Sequence, residues 1–318
     1  MPRRWLHGGH VQTIASFLMP RRFQLPPPEE RLIEVASGVQ VLCHCHWQAD
    51  RTKPLTIIIV HGLEGSSESQ YARGVTKKAL AAGMNVIRYN QRNCGGTDAL
   101  APVLYHSGLS NDVAAVAQEL IARDGISRLA LVGFSMGGNL VLKLAGEWGS
   151  QRPPQFRAVA ACCPSMDLAA SADALHEPAN RLYELYFLFN LRRRMMRKAR
   201  LFPAHFDVGR MRGMRSLRDF DHQVTAYYCG FTGADDYYAK AAASNVVEKI
   251  SVPALIVHAA NDPFIRLQSE TRQKIASNPN ITFIETEDGG HCAFVGSRNG
   301  EDDGFWAETQ IVNFLRRF

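Results

Sequence analysis

Three short stretches of this 318-residue sequence carry residue types that chemistry could use, and their order matters. The first, Gly133-Phe134-Ser135-Met136-Gly137-Gly138, fits G-x-S-x-G where an apolar run at 129–133 meets helical spacing. At so sharp a strand-to-helix turn the serine takes a strained backbone, and side chains at the flanking glycines would collide with the neighbouring strand and helix. The turn lifts Oγ clear of the sheet, and the helix start offers free N–H groups to negative charge. The second stretch, Asn261-Asp262-Pro263-Phe264, sets an acid in a turn after the apolar run 254–258. The third, Asp288-Gly289-Gly290-His291, sets a histidine in a glycine-rich loop after the run 281–285. Serine, acid, then histidine is the chain order of a nucleophile, an orienting carboxylate and a general base for acyl transfer. Ser135, Asp262 and His291 are therefore the expected triad. Asp235, Asp236 and Asp288 compete for the acid's role, while His258 lies within a strand pattern and reads as packed.

An oxyanion needs two backbone donors. The residue after the nucleophile, Met136, supplies one; the loop His61-Gly62-Leu63-Glu64-Gly65 supplies the other. Leu63 is the expected donor, because a carboxylate at Glu64 would repel developing negative charge unless turned away.

Positioning these groups requires a parallel sheet. Apolar runs at 55–60, 85–89, 129–133, 158–163, 254–258 and 281–285 alternate with helical spacing at 71–82, 111–123, 136–148 and 306–317. That alternation predicts an α/β fold, a mostly parallel central sheet flanked by helices. Residues 31–47 read as a hairpin around Ser37-Gly38, and Pro26-Pro27-Pro28 as a stiff extended lead-in. The interval before the penultimate strand is too long for an ordinary connection, so a helical cap at 165–250 is expected inside a single domain of 1–318.

Composition agrees: 46% hydrophobic and 21% charged residues provide enough apolar mass for a sheet covered on both faces. The formal charge of +6 is uneven: residues 192–218 carry a net +9, leaving −3 for the remainder. Basicity belongs to one segment, which argues against nucleic acid as a partner. Seven cysteines, an odd number and mostly in apolar runs, suit reduced thiols and a cytoplasmic setting. The short, broken apolar stretch at the start does not read as a signal peptide, and no run is long enough to suggest a transmembrane span.

The stretches HVQTI (10–14), HGLEGSSESQYARG, NQRNCGG, LYHSGLSND, GFSMGGNLVLKLAGE, AANDPFI and GGHCAFV together resemble the YheT-like, embryogenesis-associated branch of the α/β-hydrolases. The resemblance covers most of the chain outside the cap and implies an α/β-hydrolase fold, with a serine triad on Ser135, Asp262 and His291. One departure is Asn93, where many members have glycine. An acyltransfer motif of some animal relatives, H-x4-D, is not matched, since His106 and Asp112 are one residue too far apart.

The expected activity is hydrolysis of a carboxylic ester through an acyl-enzyme, on a short- to medium-chain acyl ester or lipid ester. Acyl transfer, thioester or amide hydrolysis on the same triad, or a silent lipid-binding relative, are the alternatives. No cofactor and no metal is expected: in the strand pattern of Cys43-His44-Cys45-His46 the thiols and imidazoles point to opposite sides. The aromatic run 183–190 and the basic segment after it read as a cap helix with its aromatic face buried and its arginines in water. The alternative is an amphipathic helix lying on an anionic membrane surface.

Overall fold

A computed structural model describes residues 5–298 and 303–318; the first four residues of the amino-terminal stretch lie outside it. Eight strands form one sheet: β1 (Glu29–Ala36), β2 (Val39–His46), β3 (Thr56–Val60), β4 (Asn85–Tyr89), β5 (Leu129–Phe134), β6 (Phe156–Cys162), β7 (Ala254–Ala259) and β8 (Ile281–Thr286). Their order is β1-β2-β4-β3-β5-β6-β7-β8. The β1–β2 hairpin and the β2–β4 pair are antiparallel; every later pairing is parallel.

The helices are α1 (Gly9–Leu18), α2 (Gln70–Ala81), α3 (Ser110–Asp124), α4 (Met136–Trp148), α5 (Leu168–His176), α6 (Arg181–Leu201), α7 (Leu217–Phe220), α8 (Ala226–Cys229), α9 (Ala234–Ala241), α10 (Ser269–Ser277) and α11 (Trp306–Leu315). Strands β3, β4 and β5 are buried along their whole length because both faces are covered. Ile58, Val60 and Leu131 pack with α3 and α4 on one side. Ile57, Ile59 and Val132 pack with α2 and α11 on the other. At roughly 1.5–3 kcal/mol per fully buried aliphatic side chain, this double burial is the main force holding the parallel strands in register.

Between β6 and β7 the chain is helical, from α5 to α9, with a π turn at Asp221–Thr225. Helix α6 divides its side chains by face. Glu184, Leu188, Leu191, Arg194, Met195 and Lys198 are buried, three or four residues apart, whereas Tyr186, Phe189 and Arg193 are exposed. The expected split, aromatics inward and arginines in water, is thus corrected: the face decides, and two cations go in with their partners. Arg194 pairs with Glu64 at 2.8 Å, and Lys198 Nζ donates to Asn93 Oδ1 at 3.0 Å and to Asp98 O at 2.9 Å.

Helix α1 has no counterpart in the sequence reading. Its fit against the sheet edge is close enough that a Cβ on Gly9 would collide with the carbonyl oxygen of Asn261.

Candidate active site

Ser135 stands at the end of β5 as the residue before α4, with φ 55° and ψ −120°. That left-handed backbone is costly for a residue with a side chain, and it persists because the surroundings leave no alternative. The Ser135 N–H donates to Cys162 O at 2.9 Å. A Cβ on Gly133 would strike Gly137 O, one on Gly137 would strike Val60 O, and one on Gly138 would press on Pro164. The three glycines are needed for fit against neighbouring backbone.

Asp262 follows β7 in a turn that its own side chain closes, since Oδ1 accepts the N–H groups of Phe264 at 3.1 Å and Ile265 at 3.0 Å. Its other oxygen, Oδ2, lies 2.8 Å from His291 Nδ1. Burial alone would raise the carboxyl pKa, but the adjacent imidazole and the two N–H donors hold it below the ordinary value. For His291, burial favours the neutral ring; the Asp262 carboxylate outweighs it, so the pKa is raised.

Asp288 does not reach His291. Its carboxylate accepts the Gly8 N–H at 3.1 Å and Asn261 Nδ2 at 2.6 Å, which ties α1 to the loop. Asp235 pairs with Arg218, Asp236 accepts from Thr232 N–H and Lys240, and His258 is buried in β7.

The histidine loop is held by residues whose role the sequence reading missed. The His291 N–H donates to Thr13 Oγ1 at 2.8 Å, and Gln12 exchanges hydrogen bonds with the backbone of Val295 at 2.8 and 3.2 Å. Both belong to HVQTI, one of the stretches that carry the family resemblance. Their partners lie 278 and 283 residues away, a separation no local pattern reveals.

Around the second turn, the Gly62 N–H donates to Tyr71 Oη at 2.9 Å and the Glu64 N–H to Tyr105 Oη at 3.0 Å. Among the described residues the N–H of Leu63 has no acceptor, and Met136, as the first residue of α4, has none within its helix. Glu64 sits at φ 55° with its carboxylate turned to Arg194 and to the Tyr105 hydroxyl, 2.7 Å away.

Two cavities meet at Ser135. The inner one, of about 100 Å³, is lined mostly by apolar residues such as Met136, Leu168, Leu191 and Met195. The outer one, of about 600 Å³, is lined by Leu63, His291, Phe264 and residues of α1 and α6. Among the described residues Ser135 Oγ makes no hydrogen bond, to His291 or to any other group. Such bonds often tighten only once substrate is bound.

Cys43 and Cys45 face the core from β2, while His44 approaches Ser67 and His46 approaches Arg88. Metal-ligating atoms do gather elsewhere, at Cys162, Cys163 and Cys292 and at Cys163, His258 and Asp262. The second group includes the carboxylate that faces His291.

Residues 56–297 match the family model for the alpha/beta hydrolase fold. Over its full length the chain is 30% identical to YheT of Escherichia coli (strain K12), covering 93% of that protein. Over 96% of its length it is 27% identical to Phospholipase ABHD3 of Homo sapiens, covering 74% of that protein. Among solved structures, the Pyrococcus furiosus esterase Pf2001 aligns with a TM-score of 0.61 at 16% identity, over 93% of this chain and 91% of that one, a likeness of fold.

Proposed function

The chain belongs to the α/β-hydrolase fold family, in its YheT-like branch, and on that premise we propose that it hydrolyses carboxylic esters through an acyl-enzyme on Ser135. The observation that carries this reading is the strained Ser135 at the junction of two cavities, with His291 lining the outer one and Asp262 buried against its Nδ1.

His291 Nε2 takes the Oγ proton as Ser135 attacks the ester carbonyl, while Asp262 keeps Nδ1 protonated and stabilises the imidazolium that forms. The N–H groups of Leu63 and Met136 receive the oxyanion. Collapse of the tetrahedral adduct breaks the bond to the alcohol oxygen, which leaves with the proton from His291. Water then attacks the acyl carbon and gives a proton to the same nitrogen; collapse of the second adduct breaks the bond to Ser135 Oγ, which takes that proton back from His291 as the acid leaves.

The cavities divide the substrate. The small inner cavity suits a short to medium acyl chain, and the larger outer one accommodates the alcohol, including a bulky glycerol-based group. A relative named as a phospholipase supports a lipid ester as the natural class. We also take the helical segment 165–250 as the cap of the site, because α6 contributes to the walls of both cavities. Acyl transfer through His106 and Asp112 has no comparable support: Arg92 binds both Asp112 oxygens, at 2.5 and 2.6 Å.

The test is fluorophosphonate labelling and a chain-length series of nitrophenyl esters. Ser135→Ala should abolish labelling and lower turnover by roughly a millionfold, to the level of contaminants. Retention of more than a few per cent of turnover would sink the assignment.

A further inference from the structure

Fifteen large hydrophobic side chains are exposed among the described residues, and eleven of them lie on α6 or on α1 and its lead-in. These include Trp5 at 74%, Leu18 at 70%, Leu182 at 78% and Phe189 at 59%. Scattered singly they would need no explanation; gathered on two elements they do. The elements are neighbours: Phe17 meets Tyr186 edge-on at 5.8 Å, and His10 stacks on Tyr183 and lies 3.1 Å from its hydroxyl.

On α6 the exposed face is graded along the helix. Leu182, Leu185, Tyr186 and Phe189 occupy its first half; Arg193, Met196, Arg197 and Arg200 continue the same face in the second. Arg193 lies over the Phe189 ring at 5.4 Å. Among the described residues neither Arg193 nor Arg200 forms an ion pair, and Arg197 reaches Asp98 only at 3.4 Å. The single acid of α6, Glu184, is fully buried on the opposite side, and α1 contains no acid. An apolar strip continued by Arg193 and Arg200, neither of them in an ion pair among the described residues, complements a surface that is apolar beneath and anionic on top.

We propose that the joined outer face of α1 and α6 sits on a membrane carrying anionic headgroups, with the outer cavity opening toward the lipid. No helix of the described residues is long and apolar enough to cross a bilayer, so this face lies on the membrane. Ile14, Phe17, Leu18 and Tyr186 line the outer cavity as well as belonging to the face, so an ester lifted from the bilayer has an apolar path to Ser135 and His291. The path has meaning only if the ester-hydrolase reading holds; the docking stands apart from it.

Sedimentation of the full chain with vesicles tests the docking. Binding is expected to phosphatidylcholine vesicles containing phosphatidylglycerol, stronger than to phosphatidylcholine alone, and fading as salt shortens the reach of charge to about 8 Å at physiological ionic strength. Leu182→Ser with Phe189→Ser should abolish it, and Arg193→Gln or Arg200→Gln should each weaken it by about fivefold. All of these variants should hydrolyse a water-soluble short-chain ester as the parent does. Ser135→Ala should still bind vesicles, so a failure of the hydrolase reading leaves this result readable. Absence of binding to the anionic vesicles at low salt, or binding indifferent to these substitutions, would overturn the proposal. So would a stable dimer without lipid that Leu182→Ser and Phe189→Ser dissociate, since a second copy would then cover the face.

Discussion

Thr13 Oγ1 accepts the backbone N–H of His291 at 2.8 Å and donates to Gly9 O at 2.6 Å, so one side chain of α1 links the histidine loop to the first turn of that helix. On the proposed mechanism Thr13 acts through His291, as a positioning residue. Thr13→Val keeps the shape but removes the acceptor, and is expected to lower kcat by roughly 10- to 100-fold with little change in KM, the scale of a small misplacement. Thr13→Ser should restore most of it. A silent valine variant, or a serine variant no better than valine, would refute the role.

Asp262 and Asp288 separate cleanly in the structure, and kinetics should separate them too. Asp262→Asn removes the partner that fixes the His291 tautomer and should lower turnover by roughly four orders of magnitude in a folded protein. Asp288→Asn loosens the tie to Gly8 and should appear mainly as a lower Tm. Thermal melts beside kcat measurements decide this. The reverse pattern would mean that the acid is misassigned.

The main strands and the helices packed on them were legible in the sequence because each is marked by a continuous apolar run or a helical period. β4 and α4 even begin and end where those patterns do. The expected triad could be picked out because Ser135, Asp262 and His291 each follow such a run. Helix α1 was not, since GHVQTIASFL has only a mixed pattern and owes its place to contacts with Asn261, His291 and Val295 at the far end of the chain. The inward turn of Arg194 and Lys198 was equally hidden, because what solvates them, the Glu64 carboxylate and the groups of Asn93 and Asp98, comes from loops about a hundred residues earlier. Asn93 itself, the departure from glycine, has φ 63°, a conformation asparagine tolerates better than most residues, and its side chain receives Lys198.

The raised pKa of His291 fixes the direction of the pH dependence. On the proposed mechanism only the neutral ring can take the Ser135 proton, so kcat/KM should rise with pH through an acid limb above the ordinary histidine value of about 6.5. The same shift contributes stability that is fully present below the unfolded pKa and is lost as pH rises through the folded one. The protein therefore gives up this increment of stability over the range in which it becomes active. A pH–rate profile with an NMR titration of the ring measures both; Asp262→Asn should move the limb downward. An acid limb below 6 in the parent protein would contradict the coupling.

The buried pair of Glu64 with Arg194 joins the loop carrying the Leu63 N–H to α6, whose residues line both cavities. Their side chains are only 6% and 9% exposed. Removing one partner leaves an uncompensated charge, a loss of about 3–5 kcal/mol, whereas replacing both with uncharged groups is often neutral. Arg194→Met should lower Tm and also kcat, because an unpaired carboxylate beside Leu63 opposes the developing oxyanion. Adding Glu64→Gln to that variant removes the opposing charge and leaves a group the Tyr105 hydroxyl can still reach. The double variant is therefore expected to exceed Arg194→Met in both Tm and kcat, a coupling that a double-mutant cycle reads directly. If Glu64→Gln raises Tm in the Arg194→Met background and leaves kcat unmoved, the pair holds the cap in place and has no influence on the oxyanion. If neither quantity recovers, charge is not what Arg194 contributes.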